Sequence, residues 1–329
     1  MGLDRGHRIL VPAYNNGAEV EALQRAGLDL SFYDITEDLQ PDERGLEELL
    51  GPDVRALYVI HYFGFPQDIS HWRAWCDERG LLLIEDAAMA WLGSVDGRPV
   101  GSVGDLAIFC LYKSIGLPDG GCVIASTRVP SPSSKAGIGL PELAIRHSSW
   151  LAQRAPTAAR VHSWFGSHLP KLSRLSFSPG QEFELGDPNS RPRRATVRLL
   201  SRAADEDIAA RRRYNYAYLS HELDGLVDPV FPKLPGGAAP IGFPIWIAPE
   251  EQEDLYDRLE LYGVVFARFW VTEHDSLTQK SFKRADYVRT NSVVLPAHQE
   301  LRQVDLERIV VAVRAWSGAG TGAARNGPA

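Results

Sequence analysis

The chain has 329 residues, 44% of them hydrophobic and 23% charged, with a formal net charge of −7 at pH 7. That is enough apolar material for a large core shared between a larger and a smaller lobe. Interspersed acids and bases of net negative sign give no reason to expect nucleic acid or an anionic membrane as the main partner.

Short apolar runs alternate with helical patterns from the start. "RILVPAY" precedes "GAEVEALQRAG", "LSFYDI" precedes "DERGLEELLG", "ALYVIHYFG" precedes "DISHWRAWCDERG", and "LLLIEDAA" follows. The runs are continuously hydrophobic, and the helices between them end at Gly27, Gly51 and Gly80. This indicates a mainly parallel sheet covered on both faces, an α/β lobe whose ligands bind at the carboxyl ends of the strands. The runs "LAIFCLY" and "GGCVIAS" are close enough for a turn-back through Pro118, Asp119, Gly120 and Gly121.

From about 127 to 185 Ser, Pro and Gly cluster around helical stretches that read as a lid or an interface. The Arg-rich "RPRRATVRLLSR" (191–202) reads as a solvated helix face, within a long helix over roughly 195–223. A second lobe begins near Val227, with "APIGFPIWIA" as a strand, "PEEQEDLYDRLELYG" as a helix, "VVFARFW" as a strand and "LRQVDLERIVVAVRAW" as the closing helix. The domain boundaries expected are therefore 1–225, 226–316 and a low-complexity tail over 317–329. Cys76, Cys110 and Cys122 lack the paired spacing of a disulfide framework or a zinc site, which suits a reducing cytoplasm. No apolar stretch reaches the roughly 18 residues of a bilayer span, and the N-terminus has no apolar signal core.

Two stretches carry chemistry. "LLLIEDAAMAWLG" (81–93) ends an apolar strand in Glu85 and Asp86, and "AIFCLYKSIGLPDGGCVIAS" places Lys113 between another apolar run and a Gly-Gly turn. A strand-end carboxylate and an amine one strand and loop later are a combination that pyridoxal phosphate enzymes use. The amine forms a Schiff base with the cofactor aldehyde, and the carboxylate keeps the ring nitrogen protonated. Each residue also has a plainer use, the Asp as a helix cap or turn former and the Lys as a solvated charge.

The sequence resembles the sugar-nucleotide aminotransferases of the DegT/DnrJ/EryC1/StrS type. The resemblance runs through "ILVPAYNNGAEVEAL", "VIHYFGFPQDI", "IEDAAMAWLG", "GRPVGSVGDLAIF", "KSIGLPDGGCVIAS", "GDPNSR", "FPIWI" and "LPAHQEL". It implies the fold of type I pyridoxal phosphate-dependent transferases, an α/β large domain with a mainly parallel sheet and a smaller α+β C-terminal domain. By resemblance Lys113 is the Schiff-base lysine and Asp86 the partner of the ring nitrogen. Asn189 matches an Asn that reaches from the partner subunit toward the cofactor phosphate, and His61 a histidine near the cofactor pocket; a loop Asn and a hydrogen-bonded core histidine are the plainer readings of these two. The resemblance also implies a homodimer, a keto sugar nucleotide as acceptor, and glutamate or glutamine as amino donor.

Several positions depart from the family. Its phosphate-cradling turn and helix lies upstream of the strand matching "ILVPAY", and here Met1 stands only a few residues before that strand, so this segment is expected to lack a counterpart. Its charge-assisted hydrogen bonds would be worth on the order of 1.5–3 kcal/mol each. Met89 stands where Gln or His meets the cofactor's phenolic oxygen, Asn16 falls near the position of a stacking aromatic that Tyr14 would have to replace, and Cys110 replaces a serine. Two readings of function follow: a working aminotransferase, or a degenerate or truncated relative with weak cofactor binding and a structural or regulatory role. The segment "VFARFWVTEHDSL" (265–277), with Arg268, Trp270 and His274, is a candidate rim for specificity. No G-x-S-x-G, H-E-x-x-H or P-loop motif supports another enzyme class.

Overall fold

The computed structural model describes residues 2–115, 117, 119–129, 132, 185, 189–203, 207–277 and 281–319. The apolar runs form β1 (Arg8–Pro12), β2 (Asp29–Tyr33), β3 (Val54–Ile60), β4 (Leu82–Asp86), β7 (Leu106–Cys110) and β8 (Gly121–Ala125), joined into one sheet in the order β2-β1-β3-β4-β7-β8. Between β4 and β7 a two-stranded ribbon, β5 (Ser94–Val95) and β6 (Arg98–Pro99), folds back on itself. Every pairing from β2 through β7 is parallel, and β8 returns antiparallel to β7. In β3 and β4 nearly every residue is buried, as expected where a strand is covered on both faces.

Helices α1 (Ala18–Arg25), α2 (Glu43–Leu49) and α3 (Ile69–Arg79) make the crossovers. In α3 the Asp68 side chain accepts from the His71 N–H at 3.2 Å and caps the start, while Gly80, at φ 64°, ends the helix in the left-handed conformation. Trp72, Trp75 and Cys76 form its buried face. With strands parallel, the carboxyl ends of β1, β3, β4 and β7 open on one edge of the sheet.

A second sheet is antiparallel, in the order β11-β10-β9, with β9 (Asp228–Pro229), β10 (Gly242–Trp246) and β11 (Ser292–Pro296). Around it lie α6 (Asp207–Glu222), α7 (Gln252–Leu261), α8 (Lys283–Asn291) and α9 (Gln303–Ala319). Buried residues of both sheets belong to one contiguous apolar core. The helix expected over roughly 195–223 consists of α5 (Arg194–Ala203) and α6, with residues 204–206 outside the described residues. Most of the lid or interface expected over 127–185 lies outside them as well, as do Pro118 and the tail from 320 onward. "VVFARFW" is not a strand. It meets the sheet at a single bridge, Ala267 with Val294, and the backbone then turns through Trp270 at φ 54°, which no extended pairing tolerates.

The two sheets are joined next to the crevice. After β3 a single 3₁₀ turn, Tyr62–Gly64, presents its carbonyls to the chain entering β10: Ala239 N–H donates to Gly64 O at 2.9 Å and Ile241 N–H to Phe63 O at 3.0 Å. Gly64 holds φ 89°, and a Cβ there would stand 2.2 Å from the Ala239 carbonyl oxygen. Gly64→Ala is expected to lose on the order of 2–4 kcal/mol from strain and overpacking together, measured as a shift of the urea unfolding midpoint.

Candidate active site

Adjacent residues of a strand face opposite sides, so Glu85 and Asp86 at the end of β4 have different fates. Glu85 has no exposed surface. Its carboxylate accepts from the N–H groups of Gly101 at 2.8 Å, Val103 at 3.0 Å and Gly104 at 2.5 Å, and meets His61 Nε2 at 3.1 Å. His61 Nδ1 accepts the Gln67 N–H at 3.0 Å, so Nε2 must carry the proton and donate it to Glu85. Burial pulls the Glu85 carboxyl upward, but the His61 imidazole and the Gly104 and Gly101 N–H groups outweigh it and hold the carboxyl below its usual range.

Asp86 turns to the crevice. Its Oδ2 accepts from the Tyr58 hydroxyl at 2.7 Å and its Oδ1 from the Ala88 N–H at 2.9 Å, which fixes the carboxylate at the strand end. Burial and then the Asp86 charge push the Tyr58 phenol well above its ordinary value, so it stays a donor. Lys113 lies on α4 (Leu111–Ser114), one turn directly after β7, and is exposed. Lys113 directly follows β7, the strand paired with β4, so the acid and the amine stand at neighbouring strand ends on the same edge of the sheet.

Glu19 is a third member that the motifs did not single out. It stands in the first turn of α1, at the carboxyl end of β1, and its Oε1 accepts the Asn16 N–H at 2.7 Å. Its carboxyl is pushed up to about 7 by burial and by the Asp86 charge, against the opposing pull of backbone N–H bonds and Lys113. The spacing Asn16 to Glu19 is that of a capping box and was visible in the sequence. Its nearness to Asp86 depends on β1 and β4 ending on the same edge, which spacing does not reveal.

Of the remaining predicted residues, His61 donates its backbone N–H to the Asp86 carbonyl at 3.0 Å. His61 is fully buried with both ring nitrogens engaged, Met89 is 2% exposed within the main apolar core, and Asn16 is half-buried beside Glu19. Asn189 is exposed at a turn ahead of α5. Tyr14 is buried under Trp270, ring centroids 4.8 Å apart, and Arg289 ties Trp270 down by donating to its carbonyl at 2.6 Å. His274 faces Glu21 of α1 at 3.6 Å, so the 265–277 segment leans on the helix that carries Glu19. Arg268 is exposed. Among the described residues no group of three or more His, Cys, Asp or Glu is placed to hold a metal, and no helix is long and apolar enough to cross a membrane.

This architecture, a mainly parallel sheet flanked by helices with a smaller antiparallel sheet beside it, is that of the type I pyridoxal phosphate-dependent transferase fold. Residues 1–128 match the DegT/DnrJ/EryC1/StrS aminotransferase family, and the resemblance read from the motifs is shown there. The chain is similar to the GDP-perosamine synthase of Vibrio cholerae, 31% identical over 132 residues, an alignment covering 39% of this chain and 36% of that protein. The chain thus spans little more than a third of the length of that relative. It is 26% identical over 338 residues to the dTDP-3-amino-3,4,6-trideoxy-alpha-D-glucose transaminase of Streptomyces venezuelae, covering 96% of this chain and 78% of that one. The crystal structure of the aminotransferase TlmJ from Streptoalloteichus hindustanus superposes with a TM-score of 0.67 at 23% identity, covering 97% of this chain and 81% of that one.

A carboxyl raised from 4.5 to about 7 favours the fold in its protonated form, so the stability it contributes is fully present in acid and is lost as pH rises through that window. Glu19→Gln keeps an acceptor for the Asn16 N–H and removes the charge. The gain in melting temperature of the variant over the wild type should therefore be larger at about pH 8 than at about pH 5; an equal difference at both would mean that Glu19 does not titrate in this range.

Proposed function

We propose that the chain is a pyridoxal phosphate-dependent aminotransferase that aminates a keto sugar nucleotide, with glutamate or glutamine as donor. The observation that supports this reading is the placement of Asp86 at the carboxyl end of β4 and of Lys113 directly after the neighbouring strand β7. The donor set fits the cofactor: an anchored carboxylate suits a protonated ring nitrogen, and an exposed amine suits an aldehyde. The similarity to a perosamine synthase and to an amino-sugar transaminase supports the substrate class.

When bound, the cofactor supplies an electron sink for negative charge at the amino-bearing carbon. The work of the chain is positional and protonic. Asp86, locked by Tyr58 and Ala88, would hold the ring nitrogen and favour its protonated form. Lys113 Nζ would serve as general base and acid, holding and moving a proton at the amino-bearing carbon, a role worth about 10²–10⁴-fold in rate. Glu85, by holding the loop 101–104, fixes the far side of β4 so that Asp86 cannot withdraw. In this reading Asn189 serves the site of the second protomer of a homodimer.

The test is an absorbance titration of the purified chain with pyridoxal phosphate beside a Lys113→Ala variant. A near-visible band present in the wild type and absent from the variant is expected. No band in the wild type would overturn the assignment and favour a non-catalytic relative.

A further inference from the structure

Lys113 sits on a helical turn too short to be stable alone, since one turn fixes many dihedrals for little hydrogen bonding. One end is held by the sheet: Cys110 pairs with Gly121, and the Leu111 N–H donates to Gly120 O at 3.1 Å. The turn closes on itself through the Ile115 N–H to Leu111 O at 3.1 Å. Its other end is held from the far side of the molecule. Arg212 of α6 donates through Nη2 to the Ser114 carbonyl at 2.5 Å, and Gln299 donates through Nε2 to the same oxygen at 3.3 Å. Arg212 Nε also donates to Gln299 Oε1 at 2.7 Å, so the two side chains grip as one unit.

This grip is buried. Arg212 is 2% exposed, Ser114 1% and Gln299 8%. Asn215, one turn further along α6, donates to the carbonyls of Ala297 at 3.3 Å and His298 at 2.9 Å, tying the helix to the segment that supplies Gln299. These two side-chain bonds of Arg212 go to neutral oxygens. Burial lowers its guanidinium to about 10, with the Glu300 charge opposing, which leaves it cationic at neutral pH. A cation at the carbonyl end of a helical turn is electrostatically matched, but burying one is costly unless its hydrogen bonds are well placed. That cost is met here at the residue directly after the reactive amine.

We propose that Arg212 and Gln299 are positioning residues for Lys113, a clamp from α6 and the 297–299 segment that fixes the amine opposite Asp86. The proposal rests on Lys113 being the amine that meets the cofactor. It makes the site depend on the second half of the chain, beyond the residues that carry the acid and the amine. A loosened clamp leaves Lys113 present and chemically intact but spread over many positions, and such loss of alignment weakens both adduct formation and proton transfer.

The experiment compares wild type, Arg212→Ala, Arg212→Lys and Gln299→Leu by amide hydrogen exchange without cofactor and by pyridoxal phosphate titration. Exchange of the Ile115 amide is expected to rise about tenfold or more in Arg212→Ala while the β4 amides keep wild-type protection. The half-saturating concentration of pyridoxal phosphate should rise by a similar factor, with partial recovery in Arg212→Lys, which keeps the charge but not the fork. Unchanged Ile115 exchange and an unchanged titration would overturn the clamp. If Arg212→Ala fails to fold, Gln299→Leu, which removes one donor, decides by the same two measurements. A wild type without a band would count against the cofactor assignment alone, because the exchange comparison reads the clamp without it.

Discussion

A carboxylate with no exposed surface, one residue from the end of the central strand β4, has to be bonded on every side or be expelled. Glu85 is bonded to His61 and to three backbone N–H groups of the 101–104 loop. Leaving such a charge partly unpaired would cost several kcal/mol, on the order of 3–5 for a broken buried pair. The loop and the β3 end must therefore close around it. Because neighbours on a strand point to opposite faces, fixing Glu85 on the inner side delivers Asp86 to the crevice with its own two donors. The Glu-Asp doublet thus places one carboxylate as an anchor inside the fold and the other at the strand end.

Around that anchor, the site is assembled by topology more than by proximity in sequence. Parallel pairing of β1, β3, β4 and β7 brings Glu19, Tyr58, Asp86 and Lys113 to one edge. Two acids face one amine there. The Glu19 carboxyl is raised to about 7 by burial and by the Asp86 charge, which lowers the negative charge at this edge near neutral pH. The second half of the chain joins the first sheet at several places, among them Ala239 on the Gly64 carbonyl, Arg289 on the Ala13 carbonyl, and Arg212 with Gln299 on Ser114.

The sequence was most readable where one local rule acted alone. Continuous apolar runs between amphipathic helices foretold the parallel sheet, and Gly120-Gly121 the return into β8, because strand burial and turn chemistry are local. "VVFARFW" misled for the same reason: its apolar side chains cover Tyr14, Phe63 and β11 without pairing as a strand, and the turn at Trp270 answers to Arg289, 19 positions away. The residue types of His61 and Met89 suit a cofactor pocket, and sequence alone does not reveal that His61 also pairs with Glu85 or that Met89 packs in the apolar core. Glu19, Tyr58 and Arg212 were invisible as site residues because their partners lie across the sheet or 98 positions along the chain.

The claim on which the rest turns is that Lys113, and no other lysine, is the amine that meets the cofactor. It is tested most directly by treating the chain with pyridoxal phosphate, reducing with borohydride and mapping the added mass by peptide mass spectrometry. The account predicts the label on the peptide containing Lys113, with Lys135, Lys171, Lys233, Lys280 and Lys283 unlabelled. Label spread evenly over these lysines, or absent from Lys113, would contradict it.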